Sequence, residues 1–111
     1  MNINELIEAI DVALGEADNF VNKYYNGDGE PMINTKKALL LLKEEIKNNA
    51  HSINERVLRA MHDIGATSVK SYENTPLEAA IDKVTSILYH DIPRYKNLTP
   101  LRMEFGKEYP I

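Results

Sequence analysis

Thr75-Pro76-Leu77-Glu78 reads as the start of a helix: Thr75 is the N-cap, Pro76 takes the first helical position, and Glu78 closes a capping box. Ser52-Ile53-Asn54-Glu55 is a second box of the same kind. Asn2-Ile3-Asn4-Glu5 is a looser third, with Asn in the capping role. Each precedes an apolar repeat of helical period. The fold expected from this punctuation is all-α, a four-helix bundle-like single domain with an ordered, mostly irregular C-terminal arm.

Working outward, the first helix is expected at about 3–25. Ile3, Ile7, Ile10, Leu14, Ala17, Val21 and Tyr24 step by four and three, a narrow stripe widened by Leu6, Ala13 and Phe20. This is the seam of a coiled-coil-like packing. Gly15 interrupts it and marks a close helix contact or a kink. Asn26-Gly27-Asp28-Gly29-Glu30-Pro31 reads as a loop on its turn chemistry. The second helix, about 35–49 and capped by Asn34 or Thr35, is apolar over much of its circumference and is expected to be the most buried. The third runs about 53–64, with Gly65 as a left-handed stop, and 66–74 is a connection in which Val69 and Tyr72 form a short extended piece. The fourth runs about 76–91, and Pro93 ends it. In the arm, 93–111, Tyr95, Leu98, Leu101, Met103, Phe105, Tyr109 and Ile111 are too apolar to leave in water, so the arm should wrap back over the bundle. Leu14, Leu42, Leu58, Ile81 and Leu88 are the expected core.

A chain of 111 residues has room for one core, and its 43% apolar and 27% charged content is that of an ordinary globular domain. Cysteine is absent, which excludes disulfides, thiolate metal sites and thiol catalysis. The opening residues lack a basic leader, and no stretch approaches the ~18 apolar residues of a membrane span, so the expectation is a soluble cytoplasmic protein with no membrane role. The net charge of -4 is uneven. Residues 1–30 hold seven acids against one base, a net -6, and residues 31–111 hold ten acids and twelve bases, a net +2. That imbalance, with a pI near 5.3, argues against nucleic acid and toward a basic protein partner.

His62-Asp63-Ile64-Gly65 resembles the short signature of the HD-domain metal phosphohydrolases. The resemblance implies that His62 and Asp63 ligate a divalent metal, which activates water for attack on a phosphate ester. It also implies a further upstream His, for which the chain offers His51, and a later Asp, for which it offers Asp91 beside His90; Ala66 replaces the family's usual Lys. Read as helix chemistry alone, His62 sits in a last turn, where the dipole favours a cation, and Gly65 is simply the stop. Asn26, Asp28 and Glu30 alternate like calcium ligands, but their spacing puts Pro31 where an EF-hand bend requires Gly. Ser52 and Thr75 are caps rather than nucleophiles, and no cofactor site is read.

By elimination, the chain reads as a small acidic non-catalytic binding protein. Its expected partner-binding residues are Glu5, Glu8, Asp11, Glu16 and Asp18, on the outer face of the first helix. Immunity proteins that cover the cationic site of a nuclease toxin with carboxylates are the physical analogy. Two further readings stand beside it: the metal-dependent phosphohydrolase of His62 and Asp63, and a structural or oligomerising subunit that pairs through the first helix's seam.

Overall fold

The computed structural model describes residues 1–24 and 27–102. It is all-helical, with no strand among the described residues. Four helices, α1 (Ile3–Lys23), α2 (Glu30–Asn49), α3 (Glu55–Ser71) and α4 (Pro76–Asp91), pack each against the next, and α4 closes the ring on α1. A short 3-10 helix, Pro93–Asn97, begins the arm. None of the described helices is long and apolar enough to cross a membrane.

Two of the three sequence caps act as read. The Asn2 side chain accepts the Glu5 N–H at 3.0 Å, and the Thr75 hydroxyl accepts the Glu78 N–H at 3.3 Å. Glu78 returns a bond, but to the Asn74 N–H, because Asn74 turns the chain in the left-handed region at φ 61° and brings its amide round to the helix start. The third cap is displaced. Asn54, not Ser52, caps α3 by accepting from Arg56 N–H, and the Asn54 N–H is taken by Glu45 of α2. The α2–α3 corner is thus capped across two helices.

Helix bounds differ from expectation where Pro and Gly were read as breakers. α1 ends at Lys23, and of the loop that follows Tyr25 and Asn26 lie outside the described residues. α2 begins at Glu30, five residues early, because Pro31 falls in its first turn, where the missing N–H costs nothing. Thr35 is therefore internal: its buried hydroxyl donates to the Pro31 carbonyl at 2.8 Å and pairs with the Tyr72 hydroxyl at 3.0 Å. α3 begins at Glu55 and runs through Gly65 to Ser71, so residues 66–71 are helical and Val69 is an exposed helical side chain rather than part of an extended piece. Gly27 is a close approach, since a Cβ there would lie 3.0 Å from the carbonyls of both Phe20 and Tyr24. Gly15 is neither a contact nor a kink: α1 passes through it unbroken, and a Cβ would meet nothing within 4 Å.

The core lies on the axis shared by all four helices. Leu6, Ile10, Ala13 and Ala17 of α1 meet Leu39, Leu42 and Ile46 of α2, Leu58, Met61 and Ile64 of α3, and Leu77, Ile81, Val84 and Leu88 of α4. Leu42, Leu58, Ile81 and Leu88 are buried as expected, but Leu14 is only half-buried. The centre of the α1 stripe is rotated toward Ala9, Ala13 and Ala17, whose small side chains admit a close neighbouring helix, leaving Ile3, Ile7, Leu14 and Val21 at its edge. The apolar circumference of α2 is not all inward, because Ile33 and Leu40 face outward at 46% and 54% exposure. Of the α1 seam, Ile10 and Ala17 are buried within the chain, Ile3, Ile7, Leu14 and Val21 pack partly against the core, and Tyr24 is exposed.

Two substitutions test this fold. Leu42→Ala should lower unfolding free energy by about 2–5 kcal/mol in urea denaturation, since the side chain is fully buried. Gly65→Ala should raise it by roughly 0.5–1 kcal/mol, because the helix continues there and the new methyl would sit 3.8 Å from Thr85 Cγ2, an ordinary contact. A loss of stability at Gly65→Ala would restore the reading of Gly65 as a helix stop.

Candidate functional site

The unbroken α3 places His62 and Asp63 in mid-helix rather than in a last turn, on the face crossed by the arm. His62 Nε2 lies 2.7 Å from the Tyr95 carbonyl, and its ring stacks on the Tyr95 ring at 4.0 Å and 11°. Tyr89 of α4 meets the Tyr95 ring edge-on at 4.9 Å, so Tyr95 is enclosed and 1% exposed. Asp63 Oδ1 accepts the Arg102 N–H at 3.0 Å, where Arg102 takes a left-handed φ of 59°. One turn earlier, Arg59 donates to the carbonyls of Thr99 and Pro100. The motif that resembled a metal signature therefore fastens arm backbone to α3.

Other residues implied by that resemblance lie elsewhere. His51 and Asp91 line a groove of about 550 Å³ at the end of the bundle, with Met1, Ile53 and Arg94, and neither His62 nor Asp63 lines it. His90 Nδ1 is 2.8 Å from Asp91 Oδ1. Among the described residues no three His, Asp or Glu side chains converge as a metal site. Arg94 donates to the Ile53 carbonyl, tying the arm to the start of α3.

Among the arm residues, Tyr95, Leu98 and Leu101 pack onto the bundle as expected. Met103, Phe105, Tyr109 and Ile111 lie outside the described residues. Sequence reasoning named Tyr95 among the packing residues of the arm but missed Arg59, His62 and Asp63 as its anchors on α3. A signal was available: His62 and Asp63 lie three and four residues on from Arg59, so all three share one side of the helix expected at about 53–64.

The five carboxylates of α1 divide between two flanks and a crest. On the flank toward α2, Asp11 pairs with Lys43 at 2.6 Å and Asp18 with Lys36 at 2.7 Å. On the flank toward α4, Glu5 lies 3.6 Å from Lys83, and half-buried Glu16 accepts from the Asn19 side chain. Glu8 stands on the crest, exposed, with no hydrogen bond or ion pair among the described residues. Near it lie Val12, 55% exposed, and Gly15, which adds no side chain to the surface. Lys36 and Lys43 of α2 thus face α1 and partly neutralise its edge.

No protein-family model, no curated protein and no solved structure matches the chain.

Burial pushes the Tyr95 phenol well above its ordinary value, with Tyr89 adding to the shift. Burial raises Tyr72 as well, against a smaller opposing effect of its bond with Thr35. The unfolded chain releases these protons near pH 10.0 while the folded chain retains them, so the unfolded state binds fewer protons above that pH. Stability should be flat with respect to these groups below it and fall as pH rises beyond it. Denaturation midpoints between about pH 8 and pH 11 should show the fall, and Tyr95→Phe should flatten it. An unchanged profile in Tyr95→Phe would remove Tyr95 as its source.

Proposed function

We propose that the protein is a non-catalytic binding protein whose α1 crest contacts a basic protein partner, in the manner of an immunity-type inhibitor. The observation that carries this reading is the arrangement about Glu8. A carboxylate with no partner among the described residues stands beside an exposed valine and a side-chain-free glycine, with carboxylates on both flanks. An apolar centre within a charged rim is the usual anatomy of a protein interface. The flanking pairs do not oppose it. Asp11 and Asp18 are 50% and 68% exposed at the side chain, and each engages its lysine through one oxygen. Exposed pairs of this kind contribute about 0–1 kcal/mol, so a partner's Arg or Lys can replace the lysine at little cost.

The oligomerising alternative draws less support, since part of the α1 seam it would use, Ile10 and Ala17, is buried against the chain's own helices. His62 and Asp63 are engaged by the arm, so the geometry lends the phosphohydrolase reading no support.

Immobilised wild-type protein should retain from lysate a basic protein that is released as salt approaches about 0.5 M, where the Debye length is only a few ångströms. Glu8→Lys combined with Asp11→Lys should slow association with that protein while leaving the circular dichroism and thermal midpoint near wild type, because both side chains are on the surface. A partner that associates equally fast with the double variant would remove the α1 crest from the interface.

A further inference from the structure

The side of the bundle formed by α1 and α2 is patterned in a way that packing within one chain leaves unused. The two helices run antiparallel and are tied at two levels, Asp11 to Lys43 and Asp18 to Lys36. Leu14 and Gly15 lie midway between the aspartates, and Leu40 lies midway between the lysines, so all three stand at one level. Leu40 is four residues after Lys36 and three before Lys43, hence on the same side of α2 as both, and it is 54% exposed. Lys47, one turn beyond Lys43 on that side, is exposed and has no hydrogen bond or ion pair among the described residues. It stands level with Glu8, one turn before Asp11 on α1.

Three features make this face complementary to itself. The first is shape. A helical glycine is less favourable than alanine, yet no atom lies within 4 Å of where a Gly15 Cβ would be, so nothing in the chain calls for it. Asp11, Leu14, Gly15 and Asp18, spaced as i, i+3, i+4 and i+7, bound an open hole of the kind that receives a side-chain knob. Leu40 is an exposed apolar knob at the level of that hole, one helix away. The second is charge. This side of α1 carries Glu8, Asp11 and Asp18, the same side of α2 carries Lys36, Lys43 and Lys47, and Glu8 and Lys47 are the two without a partner among the described residues. The third is symmetry. A two-fold axis parallel to the helices lays α1 of each copy over α2 of the other without changing the level of any residue.

We propose that the α1–α2 face pairs with a second copy of the chain in an isologous two-fold dimer. Leu40 of each copy enters the Gly15 hole of the other, and Lys47 of each meets Glu8 of the other. Around the axis the acids of α1 and the lysines of α2 then alternate in sign, so the existing Asp11–Lys43 and Asp18–Lys36 pairs are kept and joined across copies. With 21 residues in α1 and 20 in α2, the face is about 30 Å long and about 20 Å wide. That is on the order of 600 Å² per copy, the low end for a specific interface, so the dimer is a reversible one. The inference rests on the reading of the α1 crest as a recognition surface and gives it a regulation: the dimer covers Glu8, so a basic partner competes with the second copy.

The test is sedimentation equilibrium of the full chain from about 5 µM to about 1 mM, a span suited to a small reversible interface. The wild type should pass from monomer to dimer and no further, because a closed two-fold contact leaves no free face for a third copy. Gly15→Gln should weaken association by roughly tenfold or more by filling the hole, as for loss of a central contact. Its thermal midpoint should hold or rise, since nothing lies within 4 Å of the new Cβ and glutamine is the better helix former. Leu40→Gln should weaken association to a similar degree. Glu8→Lys should weaken it by roughly threefold or more, the effect of an exposed charge, and adding Lys47→Glu should restore it. The proposal is overturned if the wild type stays monomeric throughout, if Gly15→Gln and Leu40→Gln associate like wild type, or if Lys47→Glu fails to recover what Glu8→Lys loses. A monomeric wild type that still retains a basic protein would overturn the dimer and leave the α1 reading standing.

Discussion

The buried period of α3 runs through Gly65, and that continuity determines what the rest of the molecule can do on this side. Met61, Ile64, Ser68 and Tyr72 follow one another inward across the glycine. A helical glycine costs about 1 kcal/mol against alanine, whereas burying a single large apolar side chain returns roughly 1.5–3 kcal/mol. Ile64 and Tyr72, both nearly inaccessible, outweigh the glycine. Had the helix ended at Gly65, Tyr72 would not reach Thr35 and Phe20, which it joins through a 3.0 Å hydroxyl contact and an edge-on ring contact at 4.9 Å. Before the glycine, α3 presents Arg59, His62 and Asp63, at i, i+3 and i+4, as one side on which the arm is laid.

That geometry gives His62-Asp63-Ile64-Gly65 a structural role in holding the arm. Neither the metal signature nor the helix-dipole account concerned the arm, yet the arm brings backbone carbonyls and amides against a helix that cannot pair them through its own backbone. A backbone polar group that leaves water must find a partner. Arg59 and His62 serve the carbonyls of Thr99, Pro100 and Tyr95, and Asp63 serves the Arg102 amide. The side chains that suit a metal ligand or a general base are also those that suit stray backbone groups. A four-residue motif does not distinguish the two; what each atom touches does.

The elements legible in the sequence are those set by local rules. Asn2 and Thr75 cap the helices they were read to cap, and Pro76 and Pro93 bracket α4. The elements misread are those in which a local breaker meets a tertiary demand. Pro31 follows the same first-turn rule as Pro76, but the adjacent Gly27 and Gly29 concealed it within an apparent loop. Asn54 displaced Ser52 because Glu45, on a different helix, takes the Asn54 amide, a contact that local spacing does not encode. The rotation of the α1 stripe is likewise a tertiary effect: Ala17 was read within the stripe, Ala13 at its margin and Ala9 not at all, yet all three are buried while Leu14 is half-buried. In the candidate site, the residue types were legible and their division was not, since whether a carboxylate on α1 is paired depends on which lysines of α2 and α4 lie across from it.

Charge on this bundle is therefore better considered helix pair by helix pair than by stretch of chain. The net -6 of residues 1–30 suggested a uniformly anionic end, but Lys36, Lys43 and Lys83 reach it from α2 and α4 and leave Glu8 as the uncompensated carboxylate of the crest. Conversely, residues 31–111 sum to +2, yet within them Glu78 and Asp82 face a groove that no cation lines. At physiological salt the Debye length is about 8 Å, so charges across the bundle scarcely sense one another and the local set governs. Which carboxylates are left without a lysine is thus set by the packing, and neither net charge nor its distribution along the sequence identifies them.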